Sequence, residues 1–241
     1  SWAPVRPHSI ASQIVVQVRE ALFTEKLKPG DLLGSEKELA AQFNVSRITI
    51  RDALRALETM GIVEIRVGAS GGARIAKGNL ERFADAIAIQ FKLSGVTEHE
   101  ILDLQLAIES TAIEIAALKR TDQDIETLRQ LLVESELAIN KPKEFTKIGQ
   151  KFHLALIEAS GNRALVAQFK SLRHIVWPKE GDRATREIAQ HVQKIHQDLF
   201  EFVKKGNGEA ARKLMTAHLS SIRAVAFPEG SEETGIRVFC C

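Results

Sequence analysis

Apolar residues recur at Ile10, Ile14, Val18 and Leu22, one every four positions, which is the stripe of an amphipathic helix. Lys28-Pro29-Gly30-Asp31 then forces a turn, so the pattern predicts a first helix ending near Glu25. Ser35-Glu36-Lys37-Glu38 follows as a capping box, in which the Ser35 hydroxyl and the Glu38 carboxylate satisfy amide donors left over at a helix start. Leu39, Ala40 and Phe43 point inward from this second helix. Asn44 tolerates the left-handed conformation of a tight interhelical turn, and Ser46 caps a third helix whose buried face is Ile50, Ala53, Leu54 and Leu57. Two short helices joined by about three residues make a helix-turn-helix.

Beyond the third helix the period changes from helical to alternating. Gly61 to Gly68 predicts one strand, Ala73-Arg74-Ile75-Ala76 a second, and Gly68-Ala69-Ser70-Gly71-Gly72 lies between them as a glycine-rich hairpin tip. From Asn79 helical periodicity runs almost unbroken to Phe227, in segments spanning 79–93, 97–118, 122–139, 142–160, 163–176, 183–205 and 208–227. The expected fold is mostly α: an N-terminal winged helix-turn-helix over residues 1–77, a C-terminal all-α antiparallel helical bundle over 78–227, and a tail over 228–241. The hinge falls in Ala76-Lys77-Gly78-Asn79.

Composition narrows the class. The 241 residues are 44% hydrophobic, enough for one large or two modest cores. Charged residues make up 27% and the net charge is only +2, which excludes a polycation that coats nucleic acid indiscriminately, so any basic surface is local. The two cysteines, Cys240 and Cys241, are adjacent and offer no CxxC spacing for metal or redox work. No apolar run approaches the roughly 20 residues of a membrane span, and no signal-peptide layout is present, so a soluble cytoplasmic protein without a membrane partner is expected.

The third helix offers the first candidate chemistry. Arg47, Arg51 and Arg55 repeat every four residues and form a stripe that begins at the helix N-terminus. A recognition helix enters the DNA major groove N-terminus first, where its dipole and free amides favour phosphate and arginine pairs bidentately with guanine. Seen alone, such a stripe is an ordinary solvated face; beside a helix-turn-helix and a hairpin it reads as a duplex-binding surface. The hairpin tip lets backbone approach a phosphate or the minor groove, with Arg66 and Arg74 as counter-charges.

Three histidines of the helical region, His153, His196 and His218, each sit among apolar neighbours on separate helices. Singly, each reads as a satisfied core histidine. Converging neutral imidazoles would instead hold Zn(II), Ni(II) or a similar divalent cation and leave positions open for water or a carboxylate. The alternative class is a metal-dependent hydrolase using the same three histidines, with Glu158 and Glu187 as the nearest candidate bases; it lacks HExxH or any comparable signature.

These residues carry a family resemblance. Leu27-Lys28-Pro29-Gly30-Asp31, Ser35-Glu36-Lys37-Glu38-Leu39-Ala40, Val45-Ser46-Arg47-Ile48-Thr49-Ile50-Arg51-Asp52-Ala53-Leu54 and Gly61-Ile62-Val63, in that order, resemble the GntR family of bacterial regulators. The resemblance implies that Lys37, Arg47, Thr49 and Arg51 contact the major groove or its backbone and that Gly68 approaches the minor groove. Gly34 and Asn44 depart from the family's usual proline and glycine without removing a contact. The second region resembles the FCD ligand-binding domain of the FadR-like subfamily, through Leu102-Asp103-Leu104, Glu109, Phe152-His153-Leu154-Ala155-Leu156-Ile157-Glu158-Ala159-Ser160-Gly161-Asn162, His196 and Ala217-His218-Leu219.

Members of that subfamily that hold a metal bind it through an aspartate and three histidines, which His153, His196 and His218 match, while others hold no metal and bind a larger ligand; the aspartate position, one turn before His153, is Gly149. Many such domains place an arginine four residues before Glu109 to pair with an organic-acid effector. Gln105 stands there instead, which implies either a less acidic ligand or one held by the metal or by Arg173 and His174. The expectation is a homodimeric regulator, not an enzyme, that binds a pseudo-palindromic double-stranded operator under control of a small-molecule effector.

Overall fold

The computed structural model describes residues 9–66, 68, 71–176 and 185–226, with backbone alone over 173–176 and 223–226. The chain divides into two compact units, Ser1–Asn79 and Leu80–Cys241, against a boundary expected two residues earlier. The Cys240-Cys241 tail lies outside the described residues.

In the first unit, α1 (Ile10–Phe23) is capped by Ser9, whose hydroxyl accepts from the Ser12 amide. It stops two residues short of the expected Glu25, which sits in the left-handed region at φ 58°. A short strand not foreseen, β1 (Leu32–Gly34), leads into α2 (Glu36–Gln42), and both arms of the Ser35/Glu38 capping box are formed. Asn44 turns the chain at φ 51°, and α3 (Arg47–Thr59) starts on Ser46, which accepts from the Thr49 amide at 3.1 Å. The hairpin strand β2 (Val63–Arg66) is shorter than its alternation suggests, and β3 (Gly72–Ile75) has the expected length but starts one residue earlier. All pairings are antiparallel in the order β1-β3-β2, with Val63 opposite Ile75 and Leu32 opposite Arg74. Ile14, Val18, Leu39, Ile50, Ala53, Leu57, Val63 and Ile75 are buried together, so the apolar stripes of α1, α2 and α3 close over one face of the sheet.

The second unit holds α4 (Leu80–Leu93), α5 (Glu98–Lys119), α6 (Asp122–Leu137), α7 (Pro142–Glu158), α8 (Arg163–Val176), α9 (Arg186–Lys205) and α10 (Gly208–Ala226). Capping boxes start α5 (Thr97 with Glu100) and α6 (Thr121 with Asp124), and Pro142 occupies the first turn of α7, where its missing amide costs nothing. Gly206 ends α9 in the left-handed conformation at φ 76°. Helix α5 packs against α7, α8, α9 and α10 and is the centre of the bundle. Its burial extends round most of its circumference, from Ile101 and Leu102 through Ile108, Ala112 and Ile113 to Ala116 and Ala117. Arg120 joins two helix ends by donating to the carbonyls of Ala117 at 2.6 Å and Lys204 at 3.0 Å. Among the described residues no helix is long and apolar enough to cross a membrane.

Candidate functional site

The first unit presents its cations on α3. Arg47 and Arg51 have side chains 65% and 50% exposed, Arg55 and Lys37 are exposed, and Thr49 is half-buried beside the Ser46 cap. Four residues on one helix turn through about 40° beyond a full turn, so Arg47, Arg51 and Arg55 form one stripe that flanks the face carrying the buried Ile50, Ala53, Leu54 and Leu57. Glu36, in the first turn of α2, takes a two-point pair from Arg51 and lies 3.8 Å from Arg47. The Arg51 guanidinium beside it holds the Glu36 carboxyl below the usual carboxylate range. Gly68 is exposed at the hairpin tip with φ 126°, and its carbonyl accepts from the Gly71 amide at 2.9 Å. Arg66 pairs with Glu64 at 3.6 Å, and Arg74 donates to the Gly30 carbonyl at 3.4 Å. Val67, Ala69 and Ser70 lie outside the described residues.

The second unit brings His153 from α7, His196 from α9 and His218 from α10 together, so that one nitrogen from each lies within 4.8 Å of the others. Their exposures are 7%, 0% and 2%, so the cluster is sealed inside the bundle. Helical periodicity directs each ring inward: Phe152, Leu156 and Ile157 surround the first on α7, Val192, Leu199 and Phe200 flank the second, and Met215, Leu219 and Ile222 the third. Nε2 of His153 stands 3.2 Å from Nε2 of His196. The His153 and His218 rings stack with centroids 5.7 Å apart, and Phe152 stacks on His196 at 4.7 Å.

Hydrogen bonding separates the three rings. His153 is fixed from behind: its Nδ1 pairs with Glu109 of α5, and Gln105 Nε2 donates to the other Glu109 oxygen at 2.6 Å. His196 Nδ1 and both nitrogens of His218 are buried without a partner among the described residues. Burial drives the His196 imidazole well below its ordinary value, and the facing His153 and His218 add to the effect. His218 is held down to about 3 by burial first and then by His153 and His191. Both rings are therefore neutral near pH 7, the form in which imidazole offers a lone pair to a metal.

This donor set suits a divalent transition metal. Two imidazole nitrogens bound to one Zn(II) at about 2.0–2.1 Å are about 2.9–3.4 Å apart for right-angled to tetrahedral geometry, and the His153–His196 spacing of 3.2 Å falls inside that range. Buried nitrogens with no partner cost about 1–3 kcal/mol each unless something satisfies them. Gly149, on α7 one turn before His153, is buried and has no ligand atom to contribute. The set is therefore three nitrogens, with Glu109 behind the first.

Sequence reasoning foresaw the histidines but not the Glu109–His153 pair. The available signal was a carboxylate at helical spacing from the apolar Ala112 and Ile113 and beside Ile108, and in the fold Glu109 is 1% exposed. Gln105 is buried beside Glu109, with its Oε1 unpaired. The side chains of Arg173 and His174 lie outside the described residues. Glu158 is exposed, with Lys170 Nζ at 3.9 Å, and Glu187 is exposed in the first turn of α9, so neither stands at the histidines as a hydrolase base would.

Comparison with known proteins fits both halves. The family described as "Bacterial regulatory proteins, gntR family" matches residues 10–71, and the FCD domain matches residues 100–221. The HTH-type transcriptional regulator LutR of Bacillus subtilis (strain 168) is 30% identical over 213 residues, covering 83% of this chain and 93% of that one. The Uxu operon transcriptional regulator of Escherichia coli (strain K12) is 28% identical over 222 residues, covering 88% and 84%. Among solved structures, Streptococcus agalactiae GntR is 22% identical with a TM-score of 0.54, covering 89% of this chain and 99% of that one, a likeness of fold. The chain belongs to the GntR family of bacterial regulatory proteins and carries an FCD domain after its DNA-binding head, which makes it a transcription regulator and not an enzyme.

Proposed function

We propose that this regulator is a homodimer whose operator binding is controlled by a small organic acid seated on a divalent metal held by His153, His196 and His218. The observation that carries the reading is the sealed three-histidine cluster with unpaired nitrogens. A bound Zn(II) or Ni(II) supplies positive charge and open coordination positions. Among the described residues no lysine or arginine is buried in the bundle, so the metal is the cation to which a buried carboxylate would turn. Gln105 stands where a cationic clamp would weaken this dependence, and Arg173 and His174 are further effector contacts by position.

On the DNA side, Arg47, Arg51 and Arg55 face the major groove with Lys37 and Thr49 supporting them on the backbone, and Gly68 brings the hairpin tip to the minor groove. Two such heads in a dimer fit a pseudo-palindromic operator, and effector binding shifts the population of DNA-competent dimers. The test is selection of a preferred duplex from a random library, followed by fluorescence anisotropy with and without Zn(II) and a panel of small carboxylates. A carboxylate that changes duplex affinity in the metal-loaded protein, and loses that effect in His218→Ala, is the expected result. Equal responses with and without metal would remove the metal from the control mechanism.

A further inference from the structure

We infer that Glu109 is a positioning residue for the three-histidine site, setting the tautomer of His153 and supplying the anionic charge that Gly149 does not. The inference rests on the metal-holding reading of the cluster. A carboxylate only accepts hydrogen bonds, so pairing with Glu109 places the His153 proton on Nδ1. The Nε2 lone pair is then directed to the side where His196 Nε2 stands 3.2 Å away. Without such a partner a neutral imidazole has two tautomers to choose from, and one of them carries a proton on the nitrogen the metal needs.

The arrangement is held in place. Glu109 is 1% exposed on the central helix, and its second oxygen accepts from Gln105 Nε2 at 2.6 Å one turn earlier on the same helix. Gln105 is itself 3% exposed, so the pair is shielded from bulk solvent. A chain Gln105–Glu109–His153 thus runs from α5 to the cluster, using a neutral donor that steadies the carboxylate without cancelling its charge. Charge matters here because three neutral imidazoles leave a divalent cation uncompensated in a dry interior, and a carboxylate behind a ligating histidine raises its basicity.

The experiment uses the full chain and Zn(II) itself. Affinity is measured by competition with a chromophoric chelator for wild type, Glu109→Gln and Glu109→Ala, and melting temperatures are taken in excess chelator. The tautomer of His153 is read by long-range nitrogen–proton NMR of metal-free, imidazole-labelled protein. The expected result is a loss of Zn(II) affinity of about 10- to 100-fold in Glu109→Gln, with His153 still protonated at Nδ1 because the amide oxygen accepts the same bond. Glu109→Ala should lose at least as much affinity and shift His153 toward the Nε2 proton. Wild-type affinity in both variants, or an Nε2-protonated His153 in the wild type, overturns the assignment. A wild type that takes up no Zn(II) while keeping the Nδ1 proton sinks the metal reading and with it the ligand-positioning role, leaving only the hydrogen bond.

Discussion

Glu36 grips Arg51 at two points across the helix-turn-helix: Arg51 Nε donates to Oε1 at 3.0 Å and Nη2 donates to Oε2 at 2.9 Å, while Arg47 Nη2 lies 3.8 Å from the same Oε2. The carboxylate of α2 therefore gathers two cations of α3 that would otherwise repel, and it leaves Arg51 Nη1 outside the pair. Planar two-point pairing fixes the guanidinium plane, which is what bidentate reading of a guanine edge requires.

Arg47→Ala and Arg51→Ala should each weaken binding to the selected duplex by roughly 10- to 100-fold and relax base preference at one position. Glu36→Gln should act oppositely on non-specific binding, raising affinity for random duplex because an anion facing the phosphates is gone, while discrimination falls. Anisotropy titrations against selected and random duplex at two salt concentrations measure all three. Unchanged discrimination in Glu36→Gln would show that the pair does not orient the reader.

Phe152 is 1% exposed and stacks on His196 at 4.7 Å, so it couples core packing to the candidate metal centre. Phe152→Ala should destabilise the protein by about 3–5 kcal/mol through lost burial and a residual cavity. Phe152→Leu should cost less and keep the metal. Urea unfolding gives the first quantity, and chelator competition tells whether His196 has lost its support. A cost below about 1 kcal/mol in the alanine variant would mean the helices collapse onto the gap.

Much of this was legible in the sequence because it is local. The caps at Ser35 and Ser46 depend on residues three positions away, and the arginine stripe on a single helical period. β1 was not legible: Leu32–Gly34 is three residues long, too short to alternate, and it exists because β3 offers it an edge forty residues later, with Leu32 opposite Arg74. The inward aim of His153, His196 and His218 could be read from their apolar neighbours, but their convergence depends on how α7, α9 and α10 pack around α5. The Glu109–His153 bond joins residues 44 apart in sequence, and no periodicity encodes it.

The neutral histidines give the metal-free protein a specific acid sensitivity. His196 and His218 have folded-state values below the ordinary 6.5, His218 at about 3. Between those values the unfolded chain binds more protons than the folded one, so unfolding free energy increases with pH there. Their contribution is fully present above about 6.5 and is lost as pH falls toward the folded-state values, by up to about 1.4 kcal/mol per histidine per pH unit. Urea unfolding in chelator at pH 7.5, 6 and 5 should show this slope, and His218→Gln should reduce it by about one proton. Equal slopes in the two proteins would place His218 in a protonatable, hydrated setting in the folded state.

Gly149 permits the sharpest test of the ligand set. It is buried on α7 one turn before His153, so a side chain there projects from the same helix face toward the cluster. Gly149→Asp would add a carboxylate beside three imidazoles. In chelator this places an anion in a dry interior with no cation to meet it, and the variant should melt earlier than wild type despite the better helix propensity of aspartate over glycine. With excess Zn(II) the sign should reverse. The added ligand should tighten binding and raise the melting temperature above that of the loaded wild type, because a metal that binds only the folded state stabilises it in proportion to the logarithm of its affinity. Thermal melts of both proteins with chelator and with Zn(II) provide the four numbers needed. If the variant is destabilised equally in both conditions, the space beside His153 does not open onto a metal position, and if Zn(II) moves the melting temperature of neither protein, the three histidines are packing residues.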